Sequence, residues 1–176
     1  PLTNLNFDAN PLNYLDISNC TGLSGIISFN GGGLTTLNVT GCSNITGLSC
    51  ENNQLTILDL TGCNSLQALN CFGNQLTSLD VSGLPLTNFT FDNNPLTYLN
   101  ISNCIGLSGI INVDGMGGSG PNLSTLNITG CSNITNLSCM NNSLTSLDFT
   151  GCNSLQSIYC SYNQITTLDV SGLPIT

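Results

Sequence analysis

The chain has 176 residues, nine acidic residues and no lysine, arginine or histidine, so its formal net charge is −9 and its pI is near 4.1. Without basic side chains nothing can neutralise phosphate groups, so the composition excludes nucleic-acid binding and argues against binding to anionic membrane surfaces. Hydrophobic residues make up 40% of the chain. No apolar run approaches the ~18 residues of a membrane span, so we expect a packed core and no membrane insertion.

Eight successive repeats, here called coils 1 to 8, cover residues 2–22, 23–44, 45–65, 66–85, 86–106, 107–133, 134–154 and 155–174. The first half of each coil reads L-x-x-L-x-[C/F]-x-x-N, as in LQALNCFGN (66–74), and the second half reads L-T-x-L-[D/N], as in LTILDLTGC (55–63). Both halves alternate apolar and polar residues, which is the period of a β-strand. A turn signal such as Asn-Pro or Gly-Cys follows each half, so the pattern predicts two short strands in every coil.

Longer-range features interrupt and overlie this repeat. Coils 2 and 6 lose the asparagine, with Gly31 and Gly115 nearby, and coil 6 is lengthened by the glycine-rich insertion VDGMGGSGPN (113–122). Residues 2–85 and 86–174 are two copies of a four-coil block, and PIT at 174–176 repeats PLT at 1–3. We therefore expect residues 1–176 to form one solenoid of two blocks, and we interpret the matching ends as a segment of a longer array.

The L-x-x-L-x-L-x-x-N-x-L pattern is the signature of leucine-rich repeats. A fuller form of the pattern is NQLTSLDVSG (74–83), preceded by a first half in which Cys71 fills the third apolar position. This form resembles the ~21-residue repeats of secreted and cell-surface bacterial leucine-rich repeat proteins. The resemblance covers essentially the whole chain. It implies a mainly β fold, a parallel β-solenoid of eight coils with short strands on two faces and little or no helix, located outside the cell or at its surface.

Stacking is required physically, because a single coil cannot bury its own apolar side. We expect Leu69, Cys71, Leu79 and Val81 to point into the shared core. The asparagines that end the first halves should form an internal ladder whose amides satisfy backbone groups at the tight turn. That predicted ladder comprises Asn53, Asn74, Asn94, Asn142 and Asn163.

The ten cysteines fall into two columns. Cys50, Cys71, Cys139 and Cys160 occupy a slot that Phe7 and Phe91 fill in other coils, and the other six cysteines follow the second halves, where leucine substitutes. Replacement by phenylalanine and leucine indicates apolar slots, so we expect buried free thiols. Disulfides along a column remain open, although parallel side-chain directions fit them poorly.

Alternate residues of the first-half strands should be exposed. In leucine-rich repeat proteins this concave sheet is the usual binding face, so the resemblance implies a protein or glycan ligand there. The candidate contact residues are Asn70, Phe72, Met140, Tyr159 and Tyr162.

The second-half strands carry one column of Asp and Asn and another of Ser and Thr. The plain interpretation is a solvated β face, and a lateral contact between fibres, sugar binding or ice binding are alternatives. Stacked carboxylates also suggest a calcium site formed by Asp59, Asp80, Asp148 and Asp169. Asn-x-Ser/Thr sequons are abundant, and the candidate glycosylation sites are Asn122, Asn38, Asn100 and Asn127.

No catalytic motif is present, and neither histidine nor lysine is available for acid–base chemistry. We therefore expect a non-enzymatic protein without a cofactor. The favoured hypothesis is an extracellular structural or adhesive repeat protein, a unit of a fibre or long surface array that self-associates end to end through open solenoid edges. The alternatives are a recognition module that binds protein or glycan on the concave sheet and, less favoured, an ice-binding protein.

Overall fold

The structure is a computed structural model that describes residues 3–115 and 122–175. Most of the predicted glycine-rich insertion therefore lies outside the described residues. The chain forms two compact units, one of Pro1–Thr77 with Leu84–Asn94 and one of Ser78–Gly83 with Pro95–Thr176. These units do not coincide with the two sequence blocks, and a single solenoid that belongs to a longer array stays a prediction.

The first unit contains a five-stranded parallel sheet formed by the first halves of coils 1 to 5. Its strands, in sheet order, are β1 (Leu5–Asn6), β3 (Gly25–Ser28), β5 (Ile45–Ser49), β6 (Ala68–Asn70) and β8 (Asn88–Thr90). On the second-half side, β2 (Tyr14–Asp16) pairs in parallel with β4 (Thr36–Asn38). The register places equivalent residues of successive coils opposite each other, with Leu48 against Leu69 and Leu69 against Phe89.

The second unit repeats this arrangement, with first-half strands from coils 6 to 8 and second-half strands from coils 4 to 6. Its first-half strands are β10 (Gly109–Asn112), β12 (Ile134–Ser138) and β13 (Ser157–Tyr159), and its second-half strands are β7 (Ser78–Asp80), β9 (Tyr98–Asn100) and β11 (Thr125–Asn127). The five and three first-half strands give one strand for each predicted coil. The described residues contain no helix, and the predicted parallel β-solenoid is confirmed in each unit.

Second-half strands are fewer than the sequence predicts. The sequence pattern predicts a strand in the second half of coils 3, 7 and 8, but no regular strand forms there, at residues 57–59, 146–148 and 167–169. In coil 3 the backbone link to the preceding coil includes an isolated bond, from Gly41 N to Thr61 O at 2.8 Å. Isolated links of this kind do not form the repeated ladder that defines a strand.

The core of each unit is a row of apolar side chains that recurs from coil to coil. The residues predicted to point inward are buried, with Leu69, Cys71, Leu79 and Val81 between 0% and 2% exposed. Burying a leucine or valine side chain stabilises the fold by about 1.5–3 kcal/mol. Repetition of this burial is what makes stacked coils stable where a single coil would not be.

Each coil changes direction at residues with left-handed backbone conformation. Gly62 has φ of +82°, and a Cβ atom there would lie 2.9 Å from the Cα of Gly41 in the preceding coil. Glycine is therefore required twice over, by the positive φ and by the close approach of two backbones. The turn at Gly62 ends the second half of coil 3 and leads the chain into the first half of coil 4.

Candidate functional site

The five predicted ladder asparagines join each coil to the preceding one. In every case the side-chain amide nitrogen donates to a backbone carbonyl of the preceding coil and to the carbonyl three residues earlier. The amide oxygen accepts a backbone N–H of the preceding coil, as Asn53 accepts from Leu34 at 2.9 Å. Asn53, Asn74 and Asn142 are only 6–7% exposed. Because these side chains are committed to the backbone, they are not available to a ligand.

Asn10 makes part of the same contact and was not included in the predicted ladder. Its amide nitrogen donates to the carbonyl of Phe7 at 3.1 Å, three residues earlier, although the residue is exposed. The signal was present in LTNLNFDAN (2–10), which matches the first-half pattern including the final asparagine.

The cysteines are free thiols, and eight of the ten are buried. Along the second-half column each buried thiol donates to a carbonyl of the preceding coil, as Cys63 does to Val39 at 3.2 Å and Cys131 to Ile101 at 3.0 Å. Burial raises the pKa of Cys63 and Cys131 to about 11 and that of Cys71 to about 12. Thiols held protonated in this way act as weak donors and apolar filling rather than as reactive groups.

The column of aspartates and asparagines on the second-half side caps the turn that follows it. Each side-chain oxygen accepts the backbone N–H two residues later, as Asp148 does from Thr150 at 2.8 Å and Asn100 does from Ser102 at 3.1 Å. The full column is Asp16, Asn38, Asp59, Asp80, Asn100, Asn127, Asp148 and Asp169. Hydrogen bonds from Thr150 lower the pKa of the Asp148 carboxyl.

The caps account for the four aspartates that the sequence suggested as calcium ligands. Asp59, Asp80, Asp148 and Asp169 each have one carboxylate oxygen engaged by their own turn. Among the described residues, no three His, Cys, Asp or Glu side chains lie together as a metal site would require. The same part of the chain contains no helix long and apolar enough to span a bilayer.

The candidate glycosylation sites differ in accessibility. Asn100 is 9% exposed, and its amide nitrogen donates to Asp80 at 3.1 Å. Asn38 is half-buried and its amide donates to Asp16 at 3.3 Å, whereas the Asn127 oxygen accepts from both the backbone N–H and the hydroxyl of Thr129. Asn122 is half-buried. Asn100 is thus buried whereas Asn38 and Asn122 are half-buried, and glycosylation stays a prediction.

The outward side chains of the first-half strands, with the turn residues that follow them, form what we call the first-half face. In the first unit this face is tied together by a polar chain that crosses four coils. Asp8 accepts from Asn30 N at 2.7 Å, Asn30 accepts from Glu51 N at 2.9 Å, and Glu51 accepts from the Asn70 amide at 2.6 Å. The candidate contact residue Asn70 is therefore half-buried and engaged. Phe72, also half-buried, follows it with its N–H bonded to the Asn70 oxygen at 3.2 Å.

In the second unit the polar chain starts in the same way and then stops. Asp114 accepts from Ser138 Oγ and Met140 N, both at 2.7 Å. Met140 stands where Glu51 stands in coil 3, and Tyr159 stands where Asn70 stands in coil 4, so no acid–amide bond can form there. Tyr159 is 53% exposed on β13, beside Ser138 of β12 in the sheet register.

Tyr162, three residues after Tyr159, is 81% exposed and has φ of 58°. A left-handed conformation costs a residue with a Cβ about 1–2 kcal/mol. The equivalent turn residue is Gly73 in coil 4 and an asparagine, Asn52 or Asn141, in coils 3 and 7. A large aromatic side chain therefore occupies a strained position that gains nothing from core burial.

The internal duplication shows which positions vary. Residues 44–85 and 133–174 align without gaps and differ at 12 of 42 positions. Every ladder asparagine, cysteine and second-half aspartate in this stretch is identical in the two copies. Six of the differences fall on the first-half face: Gly47/Asn136, Glu51/Met140, Ala68/Ser157, Asn70/Tyr159, Phe72/Ser161 and Gly73/Tyr162.

Comparison with known proteins agrees with this architecture. Residues 132–174 match the family model for leucine-rich repeats in two copies. Among solved structures the chain is similar to the functional domain of InlJ from Listeria monocytogenes, which is described as including a cysteine ladder. The two chains share 28% sequence identity with a TM-score of 0.69, and the match covers 97% of this chain and 37% of that chain. A search of curated proteins gave no significant match.

The chain thus spans little more than a third of the InlJ chain that it matches. It stacks buried cysteines in successive coils and parallel strands in a fixed register. The parallel coils, the asparagine contacts between them and the two matches identify the chain as a solenoid of the leucine-rich repeat type.

Proposed function

We propose that the chain is a non-enzymatic, extracellular adhesive repeat protein, whose solenoid is a scaffold and whose first-half face in the second unit makes the adhesive contact. Its location is supported by the resemblance to repeats of secreted and cell-surface bacterial proteins. The similarity to InlJ supports the type of scaffold, and the activity proposed here rests on this chain's own residues.

The substitutions between the duplicated coils carry this proposal. A scaffold keeps the residues that bond coil to coil, and the ladder asparagines, cysteines and aspartates of residues 44–85 are all retained in 133–174. A contact surface is free to change, and half of the differences lie on the first-half face. The differences also alter the character of the face, because Met140 stands in place of Glu51 and the exposed, strained Tyr162 in place of Gly73. Exposed tyrosines among small polar residues are typical of recognition surfaces.

A face swap tests the proposal. The six outward residues of coils 7 and 8 are replaced by their counterparts from coils 3 and 4, which the same scaffold already accommodates. The control variant carries the second-half differences Ser143→Gln, Ser146→Ile and Thr167→Ser. We expect the face swap to reduce retention on fixed cells and on immobilised extracellular protein and polysaccharide by about tenfold or more, with the control unchanged. Equal retention of both variants would contradict the proposal.

A structural role is the second candidate, and it is favoured by apolar side chains in coil 8. Leu168 and Val170 are 40% and 39% exposed, whereas their counterparts Leu79 and Val81 are each 1% exposed. A further coil stacked on coil 8 would cover them, whether it came from the same chain or from a second copy. The parallel strand edge there would pair at the same time.

Analytical ultracentrifugation and electron microscopy test this structural role. End-to-end stacking predicts filaments or concentration-dependent oligomers, and Val170→Asp should abolish them because a carboxylate cannot be buried in the apolar row. Monomeric particles at all concentrations would exclude self-assembly and leave the adhesive function in place.

A further inference from the structure

The aromatic residues of coil 8 indicate which class of ligand the proposed adhesive face binds. This inference rests on the proposed function. We propose that Tyr159 and Tyr162 form a platform on which the ring faces of a neutral glycan stack, while neighbouring amide and hydroxyl groups meet the sugar hydroxyls. The platform lies wholly within the second unit, on β12, β13 and the turn that follows β13.

The stacking surface consists of two tyrosines that the fold does not need. Tyr159 is 53% exposed and Tyr162 is 81% exposed, so both rings are available to a ligand. A tyrosine ring presents an electron-rich face with a polar tip and loses little conformational entropy when it is ordered. The axial C–H groups of a pyranose ring carry partial positive charge, so a ring face of this kind attracts them.

The polar complement is uncharged. Ser138 of β12 lies next to Tyr159 in the register. Two residues earlier on each strand, and therefore on the same face, Asn136 lies beside Ser157. The Asn136 oxygen accepts from Thr135 Oγ1 at 2.8 Å, which leaves its NH2 group as a donor. Ser161 is exposed between the two tyrosines. Amide donors and hydroxyls that can both donate and accept suit the hydroxyl groups of sugars.

The charges of the protein favour a neutral ligand. The whole chain has no lysine, arginine or histidine to bind a sulfate, phosphate or carboxylate group. A cationic ligand would need free acids, and among the described residues the acid on the first-half face of this unit is Asp114, one of whose carboxylate oxygens accepts from both Ser138 and Met140. The corresponding surface of coils 3 and 4 carries Glu51. The second copy thus has Met140 in place of this acid and tyrosines in place of Asn70 and Gly73, while Ser161 stands in place of Phe72.

Size favours an oligosaccharide over a folded protein. Two adjacent strands lie about 5 Å apart, and the stretch from Ser157 to Tyr162 extends about 15 Å. The platform thus has an area on the order of 100 Å², whereas a stable protein interface needs about 800 Å² on each partner. A short segment of a glycan chain fits this surface.

The proposal is tested by calorimetric titration with a panel of neutral hexose and N-acetylhexosamine oligosaccharides. Sulfated forms of the same oligosaccharides are titrated as well. The variants are Tyr159→Asn and Tyr162→Gly, which install the residues that coil 4 carries at these positions, so folding is expected to survive. The control is Tyr14→Thr, which changes an exposed tyrosine of β2 to the residue that its neighbour Thr36 provides in the register. Thermal unfolding of every variant confirms that it is folded.

We expect at least one neutral oligosaccharide to bind, each platform variant to weaken it about tenfold or more, the control to leave it unchanged, and sulfation of the sugar to weaken it. The glycan proposal is overturned if no neutral member binds, or if the platform variants bind as the wild type does. If the face swap still abolishes retention on immobilised protein in that case, the adhesive face stands and its ligand is a protein. If the face swap has no effect either, both proposals fail.

Discussion

The side-chain amide of Asn74 donates a hydrogen bond to the backbone carbonyl of Cys50, 2.9 Å away in the preceding coil. The same nitrogen donates to Cys71 O at 3.1 Å, and the amide oxygen accepts from Leu55 N at 3.1 Å. One buried side chain therefore satisfies three backbone groups in two coils, and it does so at the turn where strand pairing ends.

Replacing Asn74 with alanine should lower the free energy of unfolding by about 2–4 kcal/mol, because buried backbone groups lose their partners. Asn74→Asp should be at least as damaging, since a carboxylate cannot donate to the two carbonyls. Chemical denaturation measures the loss. Asn64→Ala, at an exposed turn position, is the matched control and should stay within about 0.5 kcal/mol of the wild type. A small effect at Asn74 would show that water can replace the ladder.

Cysteine reactivity should divide the ten thiols sharply. Cys20 is exposed and Cys160 is half-buried, whereas the other eight are buried. Burial raises the pKa of Cys71 and Cys139 to about 12, so thiolate is negligible at pH 8. Iodoacetamide labelling followed by peptide mass spectrometry should modify Cys20 and Cys160 in the native protein and all ten after denaturation. Rapid native labelling of Cys71 or Cys139 would contradict the buried columns.

Stability should fall in acid because the second-half aspartates titrate below their usual range. Hydrogen bonds from the Thr150 hydroxyl and N–H lower the pKa of Asp148 in the folded state. A depressed folded pKa means that the stabilisation is complete above about pH 4 and is lost as the pH falls through the lowered value. Asp148→Asn should reduce this pH dependence while preserving the cap, as Asn38, Asn100 and Asn127 already do.

Denaturant unfolding between pH 2 and pH 6 measures this acid effect. The companion variant Asp148→Ala removes the cap as well as the charge, so it should lower stability at every pH in this range. The proposed role of the carboxylate would be wrong if Asp148→Asn kept the full acid dependence of the wild type at this site.

Tyr162→Gly should leave the melting temperature unchanged or raise it. The substitution relieves a left-handed conformation with φ of 58°, although the extra freedom of glycine in the unfolded chain offsets part of the gain. Tyr162→Ala is the control, because alanine keeps the Cβ atom and therefore the backbone strain. A melting temperature that fell for Tyr162→Gly but not for Tyr162→Ala would mean that the turn is not strained as described.

The sequence predicted the features that repeat. The positions of Leu69 and Leu79 hold an apolar residue in every coil, so the burial of these two leucines follows from the need to stack. The ladder role of Asn74 follows from the position of an asparagine at the end of six of the eight first halves. Both rest on periodicity, which a single sequence displays directly.

Features that depend on local backbone geometry were not predicted. The capping role of Asp148 requires knowing that the chain turns at once after it, although Asp-x-Thr is a known turn signal. The strain at Tyr162 was visible only by alignment with Gly73. The loss of regular strand at residues 146–148 depends on hydrogen-bond spacing between coils, which residue types do not determine.

The most direct test of the adhesive face is hydroxyl-radical footprinting of the protein, free and bound to whichever immobilised target retains it. Tyr14, Tyr159 and Tyr162 are 58%, 53% and 81% exposed, and methionine is also readily oxidised. We expect binding to protect Tyr159, Tyr162 and Met140 from oxidation and to leave Tyr14 as reactive as in the free protein. Protection of Tyr14 with undiminished oxidation of Tyr159 and Tyr162 would contradict the account.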